Sequence, residues 1–443
     1  MKTILASILL PFGLLFAQAT NPAWDRYGLS GRTVYDLRMY GTKVYAATDT
    51  GVFVCTLPDF EGKPVWTLIG LPGKDVRSIY PHDVGPLLYA LTAGLYRKYG
   101  DTDSCLIYCS LGSDSSWAPA DTGIDRTETN VIEALDGFPD PRICGETFAG
   151  GSGKIYRRAI GGAWEKVFDD GFGVINVIRA RITPPAVMAG GETGIFAPFI
   201  TRSDDGGDSW KTTFPWVGGD NACNSLLFDP TDTLSVYAGM EGAVIRSTDG
   251  GATWVSAGLE STPYYFFGLA YAELYFYRDV FVVGATGGNE FAMYFSPLGS
   301  DLWFPITPPW PLKGARCILP LPRPLWVGRP LLIGTLGDGV VRFTDVYAAV
   351  DDPTLPATVH LRQNYPNPFN ASCTISYEIP SRMRVRIDIF DVMGRVLSTL
   401  VDDEKPPGWH SVRFEAGAFP SGLYVCRLRT DAGERSVSMA LIK

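Results

Sequence analysis

Apolar residues between residues 30 and 345 come in short runs, broken by Gly, Pro, Asp and Asn, and the runs recur in a fixed order. The first kind is rich in branched residues: Val34-Tyr-Asp-Leu37, Val76-Arg-Ser-Ile79, Val131-Ile-Glu-Ala134, Val174-Ile-Asn-Val177 and Ser225-Leu-Leu-Phe228. The second ends in small residues: Val44-Tyr-Ala-Ala47, Leu88-Tyr-Ala-Leu91, Val187-Met-Ala-Gly190, Val236-Tyr-Ala-Gly239 and Leu331-Leu-Ile-Gly334. A turn and a third run follow: Gly51-Val-Phe-Val54, Gly94-Leu-Tyr-Arg97, Lys154-Ile-Tyr-Arg157, Ala243-Val-Ile-Arg246 and Gly339-Val-Val-Arg342. A tryptophan then opens a fourth. Branched and aromatic side chains suit a pleated surface, so each run predicts a strand and the order predicts a repeated four-stranded unit.

The tryptophans set the period. Trp24, Trp66, Trp117, Trp164, Trp210, Trp254 and Trp303 are 42, 51, 47, 46, 44 and 49 residues apart. Four-stranded propeller blades repeat at roughly 40–50 residues. The last copy, residues 315 to 344, supplies three strands with no tryptophan strand after Phe343, whereas Trp24 has no three strands before it. The two fragments predict one shared blade, with Trp24 to Leu29 as its outer strand. Such sharing closes the ring and removes the open sheet edge. The expected fold is all-β: a seven-bladed β-propeller over residues 20–345.

The pattern changes after Asp345. Residues 346–357 form a polar, Pro-containing linker, and residues 358–443 form a separate module. Val385, Ile387 and Ile389 alternate with Arg384, Arg386 and Asp388, which predicts strands buried on one face. A small immunoglobulin-like β-sandwich is the expected architecture. At the other end, Lys2, the apolar Ile4 to Phe16 and Ala17-Gln18-Ala19 read as a signal peptide over residues 1–19, cleaved after Ala19. Its apolar stretch is shorter than a membrane-spanning helix, and no transmembrane segment is expected elsewhere.

Composition narrows the function classes. The net charge is −9, and Arg382, Arg384 and Arg386 line one solvated face rather than a basic stripe, so no nucleic-acid partner is expected. Eight cysteines lie far apart with no CxxC pair, which argues against a zinc site, and no metal or cofactor is expected. Cys105 and Cys109 are spaced for a local bridge, and Cys373 and Cys426 share the terminal module; buried free thiols are the other reading. Only three histidines occur, and His82 is the only one inside the repeats, so a Ser-His-Asp triad is not expected. Hydrolysis of a glycosidic bond needs only two carboxylates. Asp36, Asp75, Glu133 and Asp229 lie near the ends of innermost strands and are the candidates for it.

Two turns carry a sharper signature. Ser203-Asp-Asp-Gly-Gly-Asp-Ser-Trp210 and Ser247-Thr-Asp-Gly-Gly-Ala-Thr-Trp254 both fit S-x-D-x-G-x-[S/T]-W. The carboxylates of Asp205 and Asp249 are expected to accept backbone N–H bonds across the turn, as Asx-turns do. Gly207 and Gly251 are expected to turn the chain, and Trp210 and Trp254 to pack between blades, making Ser203, Asp205, Ser247 and Asp249 structural. Degenerate copies stand at Ser113-Asp-Ser-Ser-Trp117 and Gly299-Ser-Asp-Leu-Trp303. The motif resembles the Asp-box, or BNR repeat, of propellers in sialidases, xyloglucan-type glycoside hydrolases, the sortilin ectodomain and photosystem-II assembly factors. That resemblance implies the fold and no particular activity. Separately, the repeat register places the expected ligand face of a propeller where the innermost strands start, around the central channel. The loops there point to a ring of Arg32, Asp75, Asn130, Asn176, Asn224, Tyr265 and Arg316.

The terminal module carries Gln363-Asn-Tyr-Pro-Asn-Pro-Phe-Asn370, Thr374-Ile-Ser-Tyr377, Ile389-Phe-Asp-Val-Met-Gly-Arg395, Gly408-Trp-His-Ser411, Pro420-Ser-Gly-Leu-Tyr424 and Leu441-Ile-Lys443. Together these resemble the type A sorting domain of the type IX secretion system, with one departure at Ala371-Ser-Cys373. The resemblance implies handling by that machinery and a place outside the cell, secreted or attached to the outer surface of the bacterial outer membrane. The expected function is a non-catalytic propeller that binds extracellular glycan or protein. The alternative is a secreted glycoside hydrolase acting on polysaccharide.

Overall fold

The computed structural model describes residues 23–442 apart from 58–63, 86–87, 98–104, 112–115, 139–145, 160–161, 172, 216–221, 275–276, 322–328, 346–358, 362–363, 365–366, 380–382, 392–393, 406–407, 418 and 432. The expected signal peptide, the whole linker, Cys144 and the turn before Trp117 lie outside the described residues. Thr20–Tyr347 belongs to one compact unit, and the C-terminal residues from Ala348 belong to another.

The first unit is all-β among its described residues. It contains seven four-stranded antiparallel sheets, six of which are simple meanders. Their innermost strands are Val34–Tyr40, Val76–Gly85, Ala134–Gly137, Val174–Arg181, Cys223–Phe228, Tyr264–Leu274 and Ala315–Pro320. Each innermost strand lies beside the next, and Ala315–Pro320 lies beside Val34–Tyr40, so the sheets close into a propeller-like ring. The seventh sheet is completed from the other end of the unit. Ala23–Arg26 pairs antiparallel with Val340–Asp345, placing Trp24 opposite Phe343.

The core is divided in the same way. Seven apolar clusters each fill the gap between two consecutive sheets. One joins Val34, Leu37 and Phe53 of the first sheet to Leu332 and Val340 of the seventh. Small residues on the second strands follow from this packing. A Cβ on Gly190 would lie 2.4 Å from Cys223 Sγ in the next sheet. One on Gly334 would lie 2.5 Å from Cys317 Sγ and 2.8 Å from Val34 Cγ1. These glycines serve close approach of neighbouring sheets.

Tryptophan staples the outer rim. Trp66, Trp117, Trp164 and Trp303 donate from Nε1 to the carbonyls of Tyr27, Ile69, Ala120 and Ala257, each in or next to the outermost strand of the preceding sheet, at 2.7–3.1 Å. Trp254 donates to Thr213 Oγ1 at 3.3 Å, whereas Trp210 donates to its own turn at Gly207 O.

Two expected strands are corrected. The innermost strand of the third sheet is Ala134–Gly137, so the run Val131 to Ala134 only leads into it. The third strand of the second sheet is Ile107–Leu111, and Gly94 belongs to the long second strand Leu88–Leu95. A Cβ on Gly94 would meet Ile132 Cγ2 and Ser78 Oγ, both at 2.6 Å, so this glycine marks a sheet contact and not a turn.

The C-terminal unit has two sheets. His360–Leu361, Ser372–Ile379 and Gly408–Glu415 form one, and Val396–Lys405, Met383–Phe390, Gly422–Thr430 and Gly433–Leu441 form the other. Ile375, Tyr377 and Phe414 of the first pack with Val385, Ile387, Ile389, Leu428 and Met439 of the second. Asp388 departs from the expected solvated face: it is fully buried. Arg386 Nε donates to it at 2.9 Å, Arg429 Nη2 at 2.5 Å and Thr399 Oγ1 at 2.6 Å. Burial opposes its charge, but these donors outweigh burial and hold the carboxyl below its ordinary range. All seven described cysteines are free thiols, Cys105, Cys109, Cys373 and Cys426 included.

Candidate functional site: the axial cavity

Bulges aim the innermost strands at the axis. In six of the seven, the ladder slips by one residue near the strand start. The extra residue is Tyr35, Arg77, Asn176, Asn224 or Arg316 in five of them, and the sixth slips across Phe266 and Phe267. A bulged residue leaves the alternation of the strand, which re-aims its side chain. Tyr35, Arg77, Asn176, Asn224, Phe267 and Arg316 all line one cavity of about 140 Å³, to which every sheet of the ring contributes. Glu133 lines it from the third sheet, and Asp36, Arg38, Ser78 and Arg179 complete its polar wall.

Polar contacts run from sheet to sheet around this cavity. Ile79 N donates to Asp36 Oδ2 at 3.2 Å, and Arg77 stands 3.7 Å from Glu133. Ala180 N donates to Asp136 Oδ2 at 3.3 Å, Asn176 Nδ2 to Asn224 Oδ1 at 3.1 Å, and Ser225 Oγ to Phe266 O at 2.8 Å. The Arg316 guanidinium lies 4.0 Å from the Phe267 ring centre and 5.8 Å from that of Tyr35, which closes the circuit to the first sheet.

The four cavity arginines divide into two pairs. Arg38 donates from Nε to Asp36 Oδ2 at 3.2 Å and stands 3.9 Å from Asp136. Arg77 makes a two-pronged contact with Asp75 at 2.8 and 3.0 Å. Burial opposes both charges, yet the neighbouring carboxylates outweigh it and raise both pKa values. Arg179 and Arg316 go the other way. Burial lowers both pKa values; repulsion from Arg38 adds to it at Arg179, while at Arg316 burial outweighs the attraction of Glu133 and is helped by repulsion from Arg77. A guanidinium stays charged through such a shift.

Of the seven residues expected to form the ligand ring, Asn176, Asn224 and Arg316 line the cavity. Asp75 stands behind it, holding Arg77. Arg32 bonds Thr50 and covers the Phe53 ring, and Asn130 Oδ1 accepts from Ser152 Oγ at 2.8 Å. Tyr265 stacks on Phe267 at 6.1 Å and faces Glu241. In four sheets the expected ring residue lies two or three positions before the one that lines the cavity; Tyr35, Arg38, Arg77, Arg179 and Phe267 are not among the expected residues, and Glu133 is expected only as a candidate acid. The signal was present: the residue following Val34, Val76, Ile175, Cys223 and Ala315 reads Tyr, Arg, Asn, Asn, Arg down the repeats.

The remaining candidate residues make local contacts. His82 is buried and stacks on Tyr80 at 5.3 Å, and burial lowers its pKa. Asp229 caps its own turn through Thr231 N and Oγ1, both at 2.7 Å. No group of three or more His, Cys, Asp or Glu residues suited to a metal occurs among the described residues. In the two Ser-x-Asp turns, Ser203 Oγ donates to Asp205 Oδ1 at 2.7 Å and accepts from Gly207 N at 2.7 Å, while Ser209 N donates to Asp205 Oδ1 at 2.9 Å. Ser247, Asp249, Gly251 and Thr253 repeat this pattern at 2.8, 2.7 and 2.8 Å.

Fold and site thus define an all-β protein with a propeller-like unit around a polar axial cavity, followed by a smaller β-rich domain. Residues 363–443 match the family model described as the secretion system C-terminal sorting domain. A sorting domain of the type IX secretion system marks the protein as secreted or attached to the outer-membrane surface. No curated protein matches the chain. Among solved structures, PorZ, an essential bacterial surface component of the type IX secretion system of Porphyromonas gingivalis, is similar with a TM-score of 0.50 and 14% identity, over 93% of this chain and 59% of PorZ. The extracellular domain of a hybrid two-component system from B. thetaiotaomicron gives 0.49 and 13%, over 93% and 57%. An ancestral GH74 enzyme gives 0.39 and 14%, over 95% and 64%. The chain spans less than two thirds of each of these three. The likeness to PorZ is one of fold. No helix among the described residues is long and apolar enough to cross a membrane.

Proposed function

We propose that the chain is a seven-bladed Asp-box β-propeller, residues 20–345, carried out of the cell by a cleaved signal peptide, residues 1–19, and an immunoglobulin-like type IX sorting domain, residues 358–443, joined by a linker at 346–357. Outside, the axial cavity binds a glycan or protein ligand without turning it over. The observation that carries this reading is the cavity itself, polar, open to the solvent and built from all seven sheets. Concave sites with convergent polar groups are the usual places for a ligand.

Binding is favoured over hydrolysis by how the nearby acids are held. Asp36, Asp75, Glu133 and Asp136 each face a cavity arginine. A glycosidase needs one carboxyl protonated and free to reach the leaving oxygen, with a second about 5–9.5 Å away. The full chain is expected to bind members of a broad glycan and peptide panel and to release no product from polysaccharides. Product formation abolished by Asp36→Asn or Asp75→Asn would install the hydrolase in its place. Removal of residues 358–443 in the native host is expected to leave the propeller in the periplasm.

A further inference from the structure

We infer that the axial cavity receives an acidic sugar residue, a hydroxylated ring with one carboxylate, held by Arg179, Arg316 and Asn224 Nδ2. This rests on the reading that the cavity is the ligand site. It follows from a surplus of donors. Arg38 and Arg77 are matched by carboxylates, but Arg179 and Arg316 form no ion pair among the described residues. Arg179 donates from Nη1 to Ile178 O at 2.8 Å, and Arg316 contacts the faces of Phe267 and Tyr35. Neither arrangement satisfies a forked cation suited to a planar carboxylate.

Asn224 adds a third donor. Its Nδ2 is buried without a hydrogen-bond partner. The amide cannot simply be turned round. Asn176 Nδ2 donates both to Cys223 O at 3.4 Å and to Asn224 Oδ1 at 3.1 Å, so the oxygen of Asn224 faces Asn176 and its nitrogen faces away. Buried donors are rarely left unmatched, and this one awaits an acceptor.

The rest of the wall narrows the class. Asp36 and Glu133 line the same cavity, so a doubly charged phosphate meets two like charges. A ligand with one negative charge and several hydroxyls satisfies both sets of groups: its carboxylate accepts from the arginines, and its hydroxyls donate to Asp36 and Glu133. A volume of about 140 Å³ is below the roughly 300–1,000 Å³ of drug-sized pockets and suits a single ring. The faces of Tyr35 and Phe267 are already covered by guanidinium groups, which leaves little apolar wall for the side chain of a peptide end.

Calorimetric titration of the full chain with sodium glucuronate, galacturonate and mannuronate, beside glucose, glutamate and inorganic phosphate, tests this. At least one uronate is expected to bind at least about tenfold more tightly than glucose, glutamate or phosphate. Arg179→Gln and Arg316→Gln are each expected to weaken it about tenfold or more, the scale of a lost charge-assisted hydrogen bond. Asn224→Asp keeps the shape and the acceptor for Asn176 but turns the free donor into an anion. It is expected to abolish uronate binding in a protein that melts as a single folded species, and it serves if the arginine variants fail to fold. No uronate binding, undiminished binding in the folded variants, or equal binding of phosphate or glutamate would overturn the inference. Neutral glycans bound equally by wild type and variants would also overturn it, while leaving the surface-binding reading intact.

Discussion

Arg38 donates from Nη2 to the carbonyl of Leu135, 3.0 Å away, and so ties the first sheet to the third past the innermost strand of the second. The same guanidinium meets Asp36 and Asp136. One side chain therefore neutralises two largely buried acids and spans part of the ring. Arg38→Met keeps the stem but leaves both acids without their cation. The expected loss is about 3 kcal/mol, the lower end for removing one partner of a buried pair, read from urea unfolding at pH 7. Arg38→Lys is expected to recover part of it, because a point charge replaces the fork.

Ring closure depends on Trp24. Its ring packs on Phe343 at 5.0 Å and Phe291 at 5.9 Å, joining the closing strand to both the seventh sheet and the sixth. The neighbouring Asp25 accepts from Arg342 Nη2 at 2.5 Å. Trp24→Ala is expected to lower stability by about 3–5 kcal/mol, as for other large-to-small core changes. Loosening of Ala23–Arg26 also bares the edge of Val340–Asp345, and bare edges pair with other chains. Size-exclusion chromatography during mild heating is expected to show soluble oligomers for the variant before the wild type. A variant that melts later or stays monomeric throughout would contradict this role for the strand.

The repeat, the tryptophan period and the split last sheet were legible in the sequence because they follow from spacing alone. The cavity was legible only in part. Arg32, Asp75, Asn130 and Tyr265 are where a regular strand would begin its loop, but the bulges move the inward-pointing position to Tyr35, Arg77 and Phe267. A bulge is a shift of one strand against its partner, and strand composition does not display it. Gly94 misled for a related reason: its lack of a side chain suggested a turn, while its cause is the side chain of Ile132 in the next sheet. The buried Asp388 was read as solvated because alternation describes the strand and not the arginines that cover its outer face.

The glycines on the second strands give a sharper test of how sheets abut. Gly190→Ala forces a Cβ to within 2.4 Å of Cys223 Sγ and 2.9 Å of its Cβ. Overpacking of a tight core typically costs about 1–3 kcal/mol. Gly422→Ala, in the C-terminal unit, meets nothing within 4 Å and is expected to be near neutral. Double substitution Gly190→Ala with Cys223→Ala removes the obstructing sulfur and is expected to recover part of the loss. Urea unfolding of wild type, Gly190→Ala, Cys223→Ala and the double variant separates the overpacking from the loss of the sulfur.

Acid exposes the role of the two Ser-x-Asp turns. Hydroxyl and backbone donors from Ser209 hold the Asp205 carboxyl well below its ordinary range, and those from Thr253 pull Asp249 down to about 2. A carboxylate whose folded pKa lies below its unfolded value stabilises the fold above the unfolded value, and that contribution fades as the pH falls toward the folded one. With an ordinary value of 3.8, the window runs from about pH 4 down to about pH 2. Asp205→Asn with Asp249→Asn keeps one acceptor in each turn and removes the titration. Wild type is expected to melt higher than this double variant at pH 5–7, with the gap constant over that range. Below about pH 4 the gap is expected to shrink, because only the wild-type turns take up protons on losing their bonds. A gap that stays the same from pH 7 to pH 2.5 would mean that the charge on these carboxylates contributes nothing to the turns.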